Sequence, residues 1–104
     1  MNIFPSDFNG KNLQEKEAGC LPKYRAIIYN KFKLTKKKCF HVKLDKDFTQ
    51  YAYDLLRNEL IMRNLSMCII EKIYHSNGNL AFIKTKFCTD NSDNNYLRIT
   101  PLIK

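Results

Sequence analysis

The stretch Lys23–Leu34 alternates in character. Tyr24, Ala26, Ile28, Asn30, Phe32 and Leu34 fall on one parity, and Lys23, Arg25, Ile27, Tyr29, Lys31 and Lys33 on the other. Successive side chains of a strand point to opposite faces, so this alternation predicts a half-buried strand. Cys39–Leu44 alternates in the same way, with Phe40, Val42 and Leu44 inward and Cys39, His41 and Lys43 outward. Thr35–Lys38 is a short polar link between the two segments, and a β-hairpin over residues 21–44 is expected.

The period then changes. Phe48, Tyr51, Ala52, Leu55, Leu56 and Met62 line up on one side of an α-helix, and Asp47 followed by Gln50 matches a capping box. Glu59 interrupts that stripe. A desolvated carboxylate there can serve chemistry, but pairing with Arg63 one turn later is the expected role. Met67–Tyr74 is rich in strand formers, and Asn77-Gly78 within His75–Asn79 suits a type I′ hairpin turn. The return segment carries Ala81, Ile83, Thr85 and Phe87 on one parity and Leu80, Phe82, Lys84 and Lys86 on the other. Tyr96–Thr100 reads as a last strand, which Pro101 assigns to a sheet edge. Residues 1–20 read as an N-terminal arm, with a short helical pattern over Asn12–Ala18 stopped by Gly19. Residues 21–104 are then expected as a single α+β domain. Its two layers are an antiparallel sheet, ordered hairpin–helix–hairpin–strand (ββαβββ), and one amphipathic helix covering one face.

A chain of 104 residues has room for one good core, which excludes a multidomain enzyme or a repeat array. No basic stretch followed by an apolar run opens the sequence, and the apolar window Leu60–Ile70 is interrupted by Arg63 and too short for a membrane span. A soluble, cytoplasmic protein is expected. Cys20, Cys39, Cys68 and Cys88 lie far apart in sequence, without the close pairs that present two sulfurs to one zinc ion. They are expected as free thiols in a reducing compartment, with neither metal nor cofactor.

Charge changes the picture most. Residues 21–44 hold eight basic residues and no acid, so the whole +8 belongs to them, because the other ten basic residues balance the ten acidic ones. Lys, Asn and Ile are abundant throughout, as AT-rich coding sequence such as that of many phages produces, but codon bias would scatter lysines rather than cluster them. On a strand, Lys23, Arg25, Tyr29, Lys31, Lys33, His41 and Lys43 share the solvent side with Lys36, Lys37 and Lys38 in the link. If the second hairpin joins the same sheet, Phe82, Lys84 and Lys86 share that face, with Tyr96 and Arg98 to follow. Cations displace counterions from phosphates and flat rings stack on unpaired bases. The leading expectation is therefore a small basic nucleic-acid-binding module that prefers single-stranded RNA or DNA. The alternative is a small interaction or inhibitor protein that occupies an acidic or nucleic-acid-binding surface of a larger protein. A third reading is a metal-independent ribonuclease using His41, Lys43 and Tyr29. No phosphate loop, nucleophile elbow or paired metal motif points to other catalysis, and the balance is against an enzyme.

Overall fold

Leu21, Tyr24 and Ile28 recur at spacings of three and four residues, and they enter the core from an α-helix, α1 (Leu21–Leu34), where the alternation predicts a strand. The physical reasons lie in the same residues. Pro22 stands in the first turn, where no intrahelical N–H partner is needed, and Ala, Leu, Lys and Arg are good helix formers. Tyr29, Phe32 and Leu34 are exposed beyond the packed half of the helix, and these apolar residues outside the core stripe imitate a period of two. Residues 21–44 therefore form a helix, a loop and the strand β1 (Phe40–Lys43) rather than a hairpin. The computed structural model describes residues 4–11, 13, 19–90 and 92–102; the helical pattern over Asn12–Ala18 lies, apart from Leu13, outside them.

The second helix, α2 (Gln50–Ile61), starts two residues later than the capping-box pattern implies. Its cap is Thr49, whose Oγ1 accepts from the Ala52 N–H at 3.1 Å. Asp47 is engaged by α1, and the Gln50 side chain reaches Asp54 and the Thr89 N–H instead. Phe48, Ala52, Leu56 and Leu60 are buried, whereas Met62 at the C-cap is 86% exposed. Glu59 pairs with both Nε and Nη2 of Arg25 on α1, not with Arg63, so the odd carboxylate of the stripe ties the two helices together. Asn64, at φ 61°, ends the turn after α2 in the left-handed conformation that asparagine tolerates.

Three strands follow: β2 (Leu65–Tyr74), β3 (Leu80–Lys86) and β4 (Asn95–Pro101). The β2–β3 turn places only Gly78 at positive φ, with the Gly78 N–H on the His75 carbonyl at 2.9 Å. It is thus a turn followed by a left-handed glycine rather than a type I′ turn, which needs two such residues. The sheet is antiparallel in the order β1-β4-β2-β3, which makes β4 an inner strand and not the edge that Pro101 suggests. Proline is tolerated there because it lies opposite Leu65 and beyond the last pairing with β1, Phe40 with Ile99. On that side no ladder N–H is missing.

Both helices bury their stripes against one face of the sheet. Val42, Met67, Ile69, Leu97 and Ile99 project into a common core with the buried residues of α1 and α2. The described residues thus form a two-layer α+β structure in which α1 and α2 pack over a four-stranded sheet, rather than one helix over five strands. Tyr24 is the deepest link between the layers. Fully buried, it stacks edge-on to Phe48 at 4.8 Å, donates to Asp47 Oδ1 at 3.1 Å and accepts the Asp45 N–H at 2.8 Å. Burial, with Asp47 adding to it, pushes the Tyr24 phenol up to about 12. Lys23 bridges Asp45 and Asp47 on the rim of the same joint. No helix among the described residues is long and apolar enough to cross a membrane.

Candidate nucleic-acid interface

The face of the sheet opposite the helices is built by the strand alternation. Because Val42, Leu97, Ile99, Met67 and Ile69 point to the core, the residues between them point away. Two cross-strand rows result: His41, Arg98 and Cys68, and then Lys43, Tyr96, Ile70 and Thr85. Tyr96 stands near the middle of the second row. The Lys72 ammonium lies 4.1 Å and the Lys43 ammonium 5.1 Å from its ring centroid, so one aromatic ring sits between two cations. Among the described residues, no carboxylate pairs with Lys43, Lys72 or Arg98; Lys43 donates to the Asp93 backbone carbonyl.

His41 is held toward its neutral form. Burial lowers its pKa, and Lys72, Arg98 and Lys31 lower it further. Its Nε2 and the neighbouring Arg98 Nε are buried without a hydrogen-bond partner among the described residues. Burial also pushes the Cys68 thiol up, which makes it a poor nucleophile, and all four cysteines are free.

The candidate residues do not share one surface. Tyr29 belongs to α1, its ring stacked with Phe32 and covered by Lys33 at 4.8 Å, on the helix side of the molecule. Phe82, Lys84 and Lys86 face the helix side as well, because Ile73, Glu71 and Ile69 are their register partners in β2. The expected single face with His41 and Lys43 is thus divided by the sheet itself. The set of His41, Lys43 and Tyr29 is not assembled. Lys31 binds the His41 carbonyl at 3.0 Å, meeting an acceptor on the exposed edge of β1. Lys36, Lys37 and Lys38 are exposed in the loop beyond α1.

Three of the candidate cations are already neutralised. Lys23 holds Asp45 and Asp47, Arg25 holds Glu59, and Lys86 holds Asp90 and Glu71. The last is the densest polar cluster. Lys86, whose side chain is only 10% exposed, also donates to Asn95 Oδ1 at 3.1 Å, while Asn95 Nδ2 donates to Asp90 and the Ser92 hydroxyl donates to Glu71. Burial works against the Lys86 ammonium, yet Asp90 and Glu71 outweigh it and hold its pKa above the ordinary value. Lys86, Asn95 and the Ser92 N–H in turn depress the Asp90 carboxyl far below its ordinary 3.8.

A carboxylate depressed by folding adds stability above its unfolded pKa and loses that contribution as pH falls toward its folded value. Unfolding free energy is expected to decline as pH drops from about 5 toward 2, and Asp90→Asn should remove part of that decline. Urea melts of both proteins across this range check it; parallel pH profiles would show that the cluster does not carry the effect.

One contributor to the face opposite α1 and α2 escapes the sequence reading. Lys72 lies in a run, Met67–Tyr74, that is apolar on both parities, so alternation does not show which way it points. Its spacing of two and four residues from Ile70 and Cys68 is the available signal. No protein-family model matches the chain, and no curated protein or solved structure matches it either.

Proposed function

We propose that this chain binds single-stranded nucleic acid across the face of its sheet opposite α1 and α2. The observation that carries the reading is Tyr96 between Lys43 and Lys72, with Arg98 and His41 in the next row, on a face where no described carboxylate competes for the cations. Lys43 and Lys72 flank the inner strand β4 from β1 and β2, with Lys72 two residues along from the row of Lys43, Tyr96 and Ile70, and so can neutralise separate phosphates of one strand. Tyr96 offers a ring that a base can cover once the flexible lysines swing to the phosphates. The Lys36–Lys38 loop extends the positive field past the β1 edge and supplies contacts independent of sequence. Among the described residues Tyr29 is not brought to His41 and Lys43, and the reading proposed is one of binding.

Fluorescence anisotropy with single- and double-stranded RNA and DNA, at low and physiological salt, tests it. Expected are a steep loss of affinity with salt, a preference for single strands, and a loss of about 5- to 100-fold in Tyr96→Ala, the range for one stacked base. Weak binding indifferent to strandedness, or full affinity in a folded Tyr96→Ala protein, would sink the proposal.

A further inference from the structure

On the other side of the molecule, the projecting half of α1, the end of α2 and the first residues of β1 and β2 enclose an open cleft of about 970 Å³. Its walls are apolar. Tyr29 and Phe32 stack on the α1 side and are 59% and 56% exposed, Met62 stands across from them, and Phe40 and Leu65 also line the cleft. Contiguous exposed apolar surface of this kind, ringed by polar groups, marks an interaction site. The charge of the ring narrows the occupant. Glu59 is the one acid of the lining and is cancelled by Arg25, whereas Arg63 and Lys33 have no carboxylate partner among the described residues. Lys36–Lys38 stands just beyond the C-terminal end of α1.

The geometry points to a docking groove for an acidic amphipathic helix of a partner protein. Two or three large apolar side chains of that helix fill the cleft, and glutamates or aspartates on its flanks meet Lys33 and Arg63. A groove between the ends of two helices is a place where a third helix can lay its apolar face. Acidic flanks steer association and select against basic helices. This surface and the Tyr96 face lie on opposite sides of the sheet, so a chain with both joins a nucleic acid to a protein.

The probe is a fluorescein-labelled amphipathic helical peptide with leucine and phenylalanine anchors at i, i+4 and i+7 and glutamates elsewhere. Its control has the anchors replaced by alanine and the glutamates kept. Saturable binding of the anchored peptide alone is expected, weakened at least about tenfold by Phe32→Glu and by Met62→Glu. Both sites are exposed, so both variants should fold and keep whatever affinity the wild type has for single-stranded RNA. ¹⁵N shifts on titration should centre on residues 28–34 and 60–65. Equal binding of both peptides would reduce the effect to net charge and overturn the groove, as would binding of neither. Displacement of the peptide by single-stranded RNA would make the cleft part of the nucleic-acid site and overturn the partner. So would a dimer in sedimentation that Phe32→Glu dissociates, since the occupant would then be a second copy.

Discussion

Replacing Tyr24 by alanine is expected to cost about 3–5 kcal/mol of folding stability, the largest effect of any single change considered for this chain. The ring is completely buried between α1 and the segment that leads into α2, and its removal opens a cavity beside Phe48. The hydroxyl adds a separate loss. It accepts the Asp45 N–H and donates to Asp47, so Tyr24→Phe leaves a backbone donor short of its partner at a cost of about 1–3 kcal/mol. Chemical denaturation of the two variants separates these effects. The alanine variant should lose clearly more than the phenylalanine variant, and the phenylalanine variant more than nothing. If Tyr24→Phe matched the wild type, the hydroxyl would contribute no stability and docking of α1 would rest on the ring alone.

The second large effect concerns binding. Reversing Lys43 and Lys72 together, as Lys43→Glu with Lys72→Glu, should lower the slope of log affinity against log salt by about 1.4, at roughly 0.7 per phosphate of a single strand. Neither ammonium pairs with a carboxylate among the described residues, so the double variant should fold normally, losing the two cation–π contacts to Tyr96 and the Lys43 bond to the Asp93 carbonyl. Lys84→Glu is the control, with half the charge change. Lys84 is exposed but lies on the helix side of β3, opposite Glu71, and its reversal should leave the slope unchanged. A response to Lys84→Glu about half that of the double reversal would mean that the protein's overall charge, rather than the Tyr96 face, governs binding.

The class of fold is legible in the sequence, and its first element is not. Phe48, Ala52 and Leu56 announce α2 because they are strictly periodic and all buried, and the alternation of β1 and β4 survives because each strand has one face in the core. Residues 21–34 mislead because only the first half of that helix meets the core. Its exposed aromatic residues line the cleft instead, and these outward apolar side chains break the rule that apolar means inward. The same mismatch moves the candidate site. Assigned to a strand, Lys23, Arg25 and Tyr29 join His41 on one face; in a helix they turn to the other side of the molecule, where Lys23 and Arg25 meet acids more than twenty residues away in sequence. Pairing between distant segments is invisible to local spacing, and so the clustered charge of residues 21–44 overstates what remains free.

The place of β4 also sets a timetable for synthesis. Made last among the described strands, β4 lies between β1 and β2, and β1 has no other strand partner among the described residues. Until residues 95–101 leave the ribosome, β1 and the helix resting on it have no sheet to join. The β2–β3 hairpin, complete by residue 86, needs no later residue for its own ladder. The growing chain therefore carries a finished hairpin and a waiting N-terminal half, and the insertion of one late strand joins them into a single cooperative body.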